Sequence, residues 1–212
     1  MNMRAVLFDL DGTLVDTIDL YTEAYITALQ LQGGIMDETR FIADVYTNEL
    51  SLRDVMALLS MDPAHEPRIR ETRDTLYIEL LSTRTEWLPH AEEILETVGR
   101  QCLSGIMTGS HRSYTDAIHT RLRLYDKTAT VVTEDDIESR MKPDPYGLLL
   151  AAKNVGAPPE ECVYVGDQLF DVQAARAAGM HACLVPNATT PARAHEEADI
   201  VFDDLRSVLT LL

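Results

Sequence analysis

Short apolar runs recur along the chain, with helical patterns between them. AVLF (5–8), LSGIMT (103–108), ATVVT (129–133), CVYVG (162–166), HACLV (181–185) and DIVF (199–202) read as strands. Several are apolar on both faces, as parallel strands covered by helices are. HAEEILETVGR, SYTDAIHTRLRL, DPYGLLLAAKNVG, LFDVQAARAAG and DDLRSVLTLL carry the helical period, with Gly156 and Gly179 placed to cap helix ends. Alternation of strand and helix predicts an α/β fold built on a parallel sheet.

Residues 16–86 break that rhythm. TIDLYTEAYITALQLQG, DETRFIADVY, SLRDVMALL and PRIRETRDTLYIELLS all follow helical spacing, and no convincing strand lies among them. The pattern predicts an all-helical insert at 16–86 inside a core made of 1–15 and 87–212. Its linkers fall near Leu14–Asp16 and Thr85–Pro89.

Composition narrows the function. The chain has 212 residues, is 46% hydrophobic and carries a formal net charge of −17. Such an acidic chain repels phosphate backbones and anionic lipid, so neither nucleic acid nor membrane is an expected partner. The N-terminal apolar run is too short and too soon acidic for a signal peptide, and no window approaches the ~18 apolar residues of a membrane span. A cytoplasmic protein, monomer or homodimer, is expected. Cys102, Cys162 and Cys183 lie in or beside apolar stretches without CxxC spacing, as buried thiols in a reducing compartment do.

In open α/β sheets ligands bind beyond the carboxyl ends of the strands. The first strand there delivers Asp9 and Asp11, the second Thr108-Gly109-Ser110. Lys142-Pro143-Asp144-Pro145 follows the third, and Gly166-Asp167 ends the fourth, with Asp171 four residues on. Carboxylates crowded on one rim raise one another's pKa, and a divalent cation relieves that. Oxygen ligands without a Cys or His cluster point to Mg²⁺. One carboxylate suits attack on phosphorus; a second, two residues away, suits proton transfer. Lysine and hydroxyl groups suit the remaining phosphate oxygens.

DLDGT, a Ser/Thr after a strand, a Lys before Pro and GDxxxD, in this order, resemble the haloacid dehalogenase superfamily. The helical insert after the first motif, with VDT (15–17), LPHAEEIL (88–95) and DVQAARAAGMHACLV (171–185), resembles its phosphoglycolate-phosphatase-like and beta-phosphoglucomutase-like branch. The resemblance implies a Rossmann-like core with helices on both faces, a helical cap, and Mg²⁺-dependent hydrolysis of a small phosphorylated metabolite through an aspartyl-phosphate. It implies Asp9 as nucleophile and Asp11 as general acid/base. Thr108, with Gly109 beside it, and Lys142 match the phosphate-binding motifs, Lys142 also steadying Asp9. Asp167 matches the metal ligand, joined by Asp9 and the Asp11 carbonyl. Asp171 is either a ligand through water or a partner holding Lys142. In the insert, Arg53 is the candidate for contacting the substrate's distal part.

Two positions depart from the family pattern: Gln168 stands where Ser is frequent, and Pro89-His90 where Pro-Gly is frequent. Gln still donates and accepts, so altered wiring around the metal is expected rather than its loss. A phosphonate hydrolase of this fold needs a cap lysine, and 16–86 contains none. A dehalogenase needs neither Asp11 nor the acidic fourth motif. A sugar-phosphate mutase shares the layout and is the main alternative. A non-catalytic binding protein on the same scaffold would be expected to have lost one of the motif residues, and none is missing.

Overall fold

Six apolar runs pair into one sheet in the computed structural model, which describes residues 3–48 and 50–212. In chain order the strands are β1 (Ala5–Phe8), β2 (Val15–Asp16), β3 (Glu86–Trp87), β4 (Leu103–Met107), β5 (Val131–Val132), β6 (Cys162–Gly166), β7 (His181–Leu184) and β8 (Ile200–Val201). The large sheet runs β5-β4-β1-β6-β7-β8, and every neighbouring pair in it is parallel. Strand order reverses at β1, with β4 and β5 to one side and β6 to β8 on the other. That is the topological switch point where α/β sheets open a crevice for ligands. Phe8 is in register with both Ile106 and Val165. Asp9, Thr108 and Asp167 therefore leave three adjacent strands within one residue of the same level.

The helices are α1 (Ile18–Gln30), α2 (Glu38–Arg40), α3 (Leu52–Leu58), α4 (Glu66–Arg84), α5 (Ala91–Gln101), α6 (Arg112–Leu122), α7 (Tyr146–Val155), α8 (Leu169–Ala177) and α9 (Ala192–Glu197). Leu7 and Tyr164 pack with Leu148 and Ala151 of α7 and Val172 and Ala175 of α8. Val6, Phe8, Val163 and Val165 alternate with them onto the opposite face and are also fully buried. Both sheet faces are thus covered, the Rossmann-like arrangement. Burying each such side chain contributes on the order of 1.5–3 kcal/mol. Among the described residues no helix is long and apolar enough to cross a membrane.

Two compact units share the chain: Met1–Asp16 with Glu86–Leu212, and Thr17–Thr85. The passages between them pair antiparallel, Val15 with Trp87 and Asp16 with Glu86. Two residues per strand are too few to show a two-residue period, so the sequence reads as linker there. In the helical unit α1 packs along α4, and Arg84 of α4 grips both carboxylate oxygens of Glu23 at 3.0 and 2.8 Å. Phe41–Tyr46 winds as a π-helical turn after α2. A capping box between Ser51 and Asp54 starts α3.

Two further differences from the sequence pattern have local causes. The C-terminal run is a 3₁₀ helix, Leu205–Leu211, not an α-helix. Leu205, Val208 and Leu211 recur every third residue, which aligns them on one side of a three-per-turn helix. The short α9 buries only Ala194 and so leaves no periodic signal.

Candidate active site

Asp9 continues the β1 ladder, its N–H donating to the Val165 carbonyl at 2.8 Å. This bond ties its backbone to β6 and leaves the carboxylate at the strand end, buried. Lys142 Nζ donates to Asp9 Oδ1 and to Asp171 Oδ1, both at 2.6 Å, and to the Tyr164 hydroxyl at 3.2 Å. The Tyr164 hydroxyl donates in turn to the Met107 carbonyl at 2.7 Å. One ammonium thus bridges residues from three places in the chain, with Phe170 covering it at 5.1 Å from the ring centre.

Asp171 is fully engaged. Its Oδ2 accepts the backbone N–H groups of Asp167 (3.2 Å) and Gln168 (2.9 Å), while Oδ1 receives Lys142. Gly166 makes room for it: a Cβ there would lie 2.5 Å from the Asp171 Cβ. On Asp9, by contrast, Oδ2 has only a 3.5 Å contact with Thr13 Oγ1 among the described residues.

Burial pushes Asp9 well above the ordinary carboxylate range. Lys142 opposes this, and Asp171, Asp167 and Asp11 add to it. Asp167 is pushed up to about 6 by burial and by Asp171, against hydrogen bonds from Thr13 and Gln168. Burial works against the charge of Lys142, but Asp171 and Asp9 outweigh it and hold the ammonium well above the usual lysine value. Burial also raises the Tyr164 phenol, which keeps its proton.

Asp167 gathers donors from both sides. Thr13 Oγ1 reaches Oδ1 at 2.8 Å, and Gln168 Nε2 (2.6 Å) and Asn187 Nδ2 (2.8 Å) reach Oδ2. Gly12 turns the chain between Asp11 and Thr13 with φ +80, a conformation that suits glycine, and a Cβ there would press on the Asp167 carboxylate at 3.1 Å. Asp11 accepts from Thr108 Oγ1 (3.0 Å) and Ser110 Oγ (2.8 Å) at its Oδ2. The Ser110 N–H donates in turn to Thr108 Oγ1 at 3.0 Å. Gly109 lies between them, half-buried. Arg53 lies in the helical unit, its side chain 81% exposed and its Nε on Glu66 at 2.8 Å.

The strand ends thus join Asp9, Lys142, Asp167 and Asp171 with Thr13, and Asp11 with Thr108. Three participants escape the sequence reading: Tyr164, Asn187 and Thr189. Asn187 and Thr189 follow β7, and the strand-end rule that singles out Asp9 and Asp167 extends to that strand. Tyr164 interrupts a buried apolar strand, and a buried phenol needs a partner.

The donor set suits a hard divalent cation. Oxygens of Asp9, Asp167 and Asp171, all buried, lie within 4.8 Å of one another. Lys142 balances one of these three charges; burial chiefly, and then the neighbouring carboxylates, raise Asp9 and Asp167. An oxygen-only cluster of this kind fits Mg²⁺.

A family model described as haloacid dehalogenase-like hydrolase matches residues 6–185. Over its full length the chain is 30% identical to N-acetylmuramic acid 6-phosphate phosphatase of Pseudomonas aeruginosa, spanning 96% of that protein. It is 31% identical to phosphoglycolate phosphatase of Salmonella choleraesuis, again over its full length and 93% of the relative. The crystal structure of a hydrolase from Pseudomonas syringae matches with a TM-score of 0.77 at 28% identity, covering 99% of this chain and 97% of that one.

Proposed function

The chain belongs to the haloacid dehalogenase-like hydrolase family and is a hydrolase of phosphoric monoesters, and from that premise we propose Mg²⁺-dependent hydrolysis through a phosphorylated Asp9. One observation carries this reading. Lys142 occupies Asp9 Oδ1, and Oδ2 is left with a single long contact. One oxygen is neutralised and oriented; the other is available to attack.

In this mechanism Asp9 Oδ2 forms a bond to phosphorus as the ester P–O bond breaks. Asp11 gives its proton to the leaving alkoxide. Water then attacks the phosphoaspartate, Asp11 takes the water proton, and Asp9 is released as the P–O bond to it breaks. Thr108 and Ser110 hold Asp11 Oδ2 and so fix the direction of its proton transfer. Lys142, Thr108 and the turn at Gly109 are positioned by sequence order to take phosphate oxygens. Mg²⁺ would be held by Asp9, Asp167 and the Asp11 carbonyl, and when bound it would neutralise charge on the transferring phosphoryl group. Asp171, with both oxygens engaged, acts through Lys142.

The helical unit is the proposed cap and the carrier of substrate choice, with Arg53 its candidate contact. Both named relatives act on phosphate esters of organic acids, so such esters lead the candidate substrates. Phosphate release should be measured across a panel containing phosphoglycolate, N-acetylmuramic acid 6-phosphate and neutral sugar phosphates, with and without Mg²⁺. Release should need Mg²⁺ and fall by about 10⁴-fold or more in Asp9→Asn. An Asp9→Asn variant with near-full activity would sink the mechanism.

A further inference from the structure

A closed ring of hydrogen bonds surrounds Asp167. Gln168 Nε2 donates to Asp167 Oδ2 at 2.6 Å and to Thr189 Oγ1 at 3.0 Å. Thr189 Oγ1 donates to Asn187 Oδ1 at 2.7 Å, and Asn187 Nδ2 returns to Asp167 Oδ2 at 2.8 Å. The Thr189 N–H also donates to Asn187 Oδ1, at 2.8 Å. Two donors on that oxygen fix the amide, so its nitrogen faces the carboxylate. The same nitrogen reaches the Gly12 carbonyl at 3.3 Å, tying the ring to the turn between Asp11 and Thr13. Thr190 Oγ1 holds the Asp167 main-chain carbonyl at 2.7 Å and accepts the Asn187 N–H at 2.8 Å.

The geometry points to Asn187, Thr189 and Gln168 as positioning residues that set the affinity for Mg²⁺ by holding the Asp167 side chain in one orientation. This rests on the reading of Asp167 as a Mg²⁺ ligand. Each ring member is both donor and acceptor or closes on the carboxylate, so deleting one leaves its neighbours unsatisfied. An unclasped carboxylate must be ordered again each time the cation binds, and groups that orient metal ligands are typically worth 10–100-fold in affinity. Gln168 belongs to the ring because its longer side chain spans from Asp167 to Thr189.

The test uses the full chain. Thermal unfolding is followed over a Mg²⁺ titration for wild type, Asn187→Ala, Thr189→Val and Thr189→Ser, which yields both the metal-free Tm and the Mg²⁺ Kd. Asn187→Ala and Thr189→Val should raise Kd by roughly 10–100-fold, read from the Mg²⁺ dependence and therefore separate from any fall in the metal-free Tm. Thr189→Ser, which keeps the hydroxyl, should bind like wild type. Equal or tighter binding in Asn187→Ala and Thr189→Val would overturn the inference, as would a Thr189→Ser variant as weak as Thr189→Val. Should Asn187→Ala fail to fold, the nearly isosteric Thr189→Val decides. A wild type that Mg²⁺ does not stabilise at all would instead overturn the underlying metal assignment.

Discussion

The two units treat buried polar groups in opposite ways. In the α/β unit the buried carboxylates Asp9, Asp167 and Asp171 are all drawn into hydrogen bonds, and Lys142 joins two of them. In the helical unit the Thr22 hydroxyl is buried without a hydrogen-bond partner among the described residues. Its interior is held by packing instead: the rings of Tyr21, Tyr25, Phe41 and Tyr77 lie 4.9–6.2 Å apart, with the Arg73 guanidinium over two of them. Charge organises one unit and apolar contact the other. Polar deletions should therefore be costly in the first and mild in the second.

The largest effect is expected at Lys142. Lys142→Met leaves Asp9 and Asp171 buried without their cation, so kcat should drop by at least about 10³-fold. Breaking a buried pair from one side destabilises by about 3 kcal/mol or more. Protonation relieves this, so the loss measured by denaturant unfolding should be smaller at pH 5 than at pH 7.5. An equal loss at both values would remove charge as the cause.

Mg²⁺ binding should depend on pH next most strongly. In the proposed mechanism Asp167, pushed up to about 6 by burial, loses its proton to hold the cation. Affinity should then fall as pH drops below about 6, by about tenfold per unit from Asp167 and more steeply where the raised Asp9 is also protonated. The same raised pKa has the opposite sign for metal-free folding. The native state holds this proton more tightly than the unfolded chain does, so the group's contribution declines as pH rises from about 4 to about 6. Comparing wild type with Asp167→Asn isolates both effects.

A matched pair sharpens the contrast. Tyr164→Phe removes the bridge from Lys142 to the Met107 carbonyl and should lower kcat by roughly tenfold, about 1–1.5 kcal/mol, with KM little changed. Thr22→Val removes a buried hydroxyl without a partner among the described residues and should leave kcat unchanged and stability equal or up to about 1 kcal/mol higher. Similar losses in both variants would erase the distinction between the units. The smallest expected effect is at His90, which starts α5 in a left-handed conformation with φ 66. His90→Gly should stabilise by up to about 1 kcal/mol in thermal unfolding, because only glycine adopts that conformation without strain.

Local pattern was sufficient wherever a residue's role depends on its own neighbours along the chain. Buried parallel strands must be apolar on both faces, so AVLF and CVYVG declared β1 and β6, and the polar residues after them marked the rim. The helical spacing over 16–86 predicts an insert of helices. Contacts between distant residues left no such trace. Strand order, and with it the meeting of Asp9 with Asp167, depends on pairings between segments some 150 residues apart. Asp171 reads equally as a ligand or as a partner of Lys142 in the sequence; the fold brings Lys142 Nζ to one of its oxygens and two backbone N–H groups to the other. Asn187 and Thr189 look like ordinary loop residues until β7 sets them beside Asp167. A side chain's type and its local period are written in the sequence, whereas its hydrogen-bond partner is chosen only when the sheet assembles and brings remote strand ends to one edge.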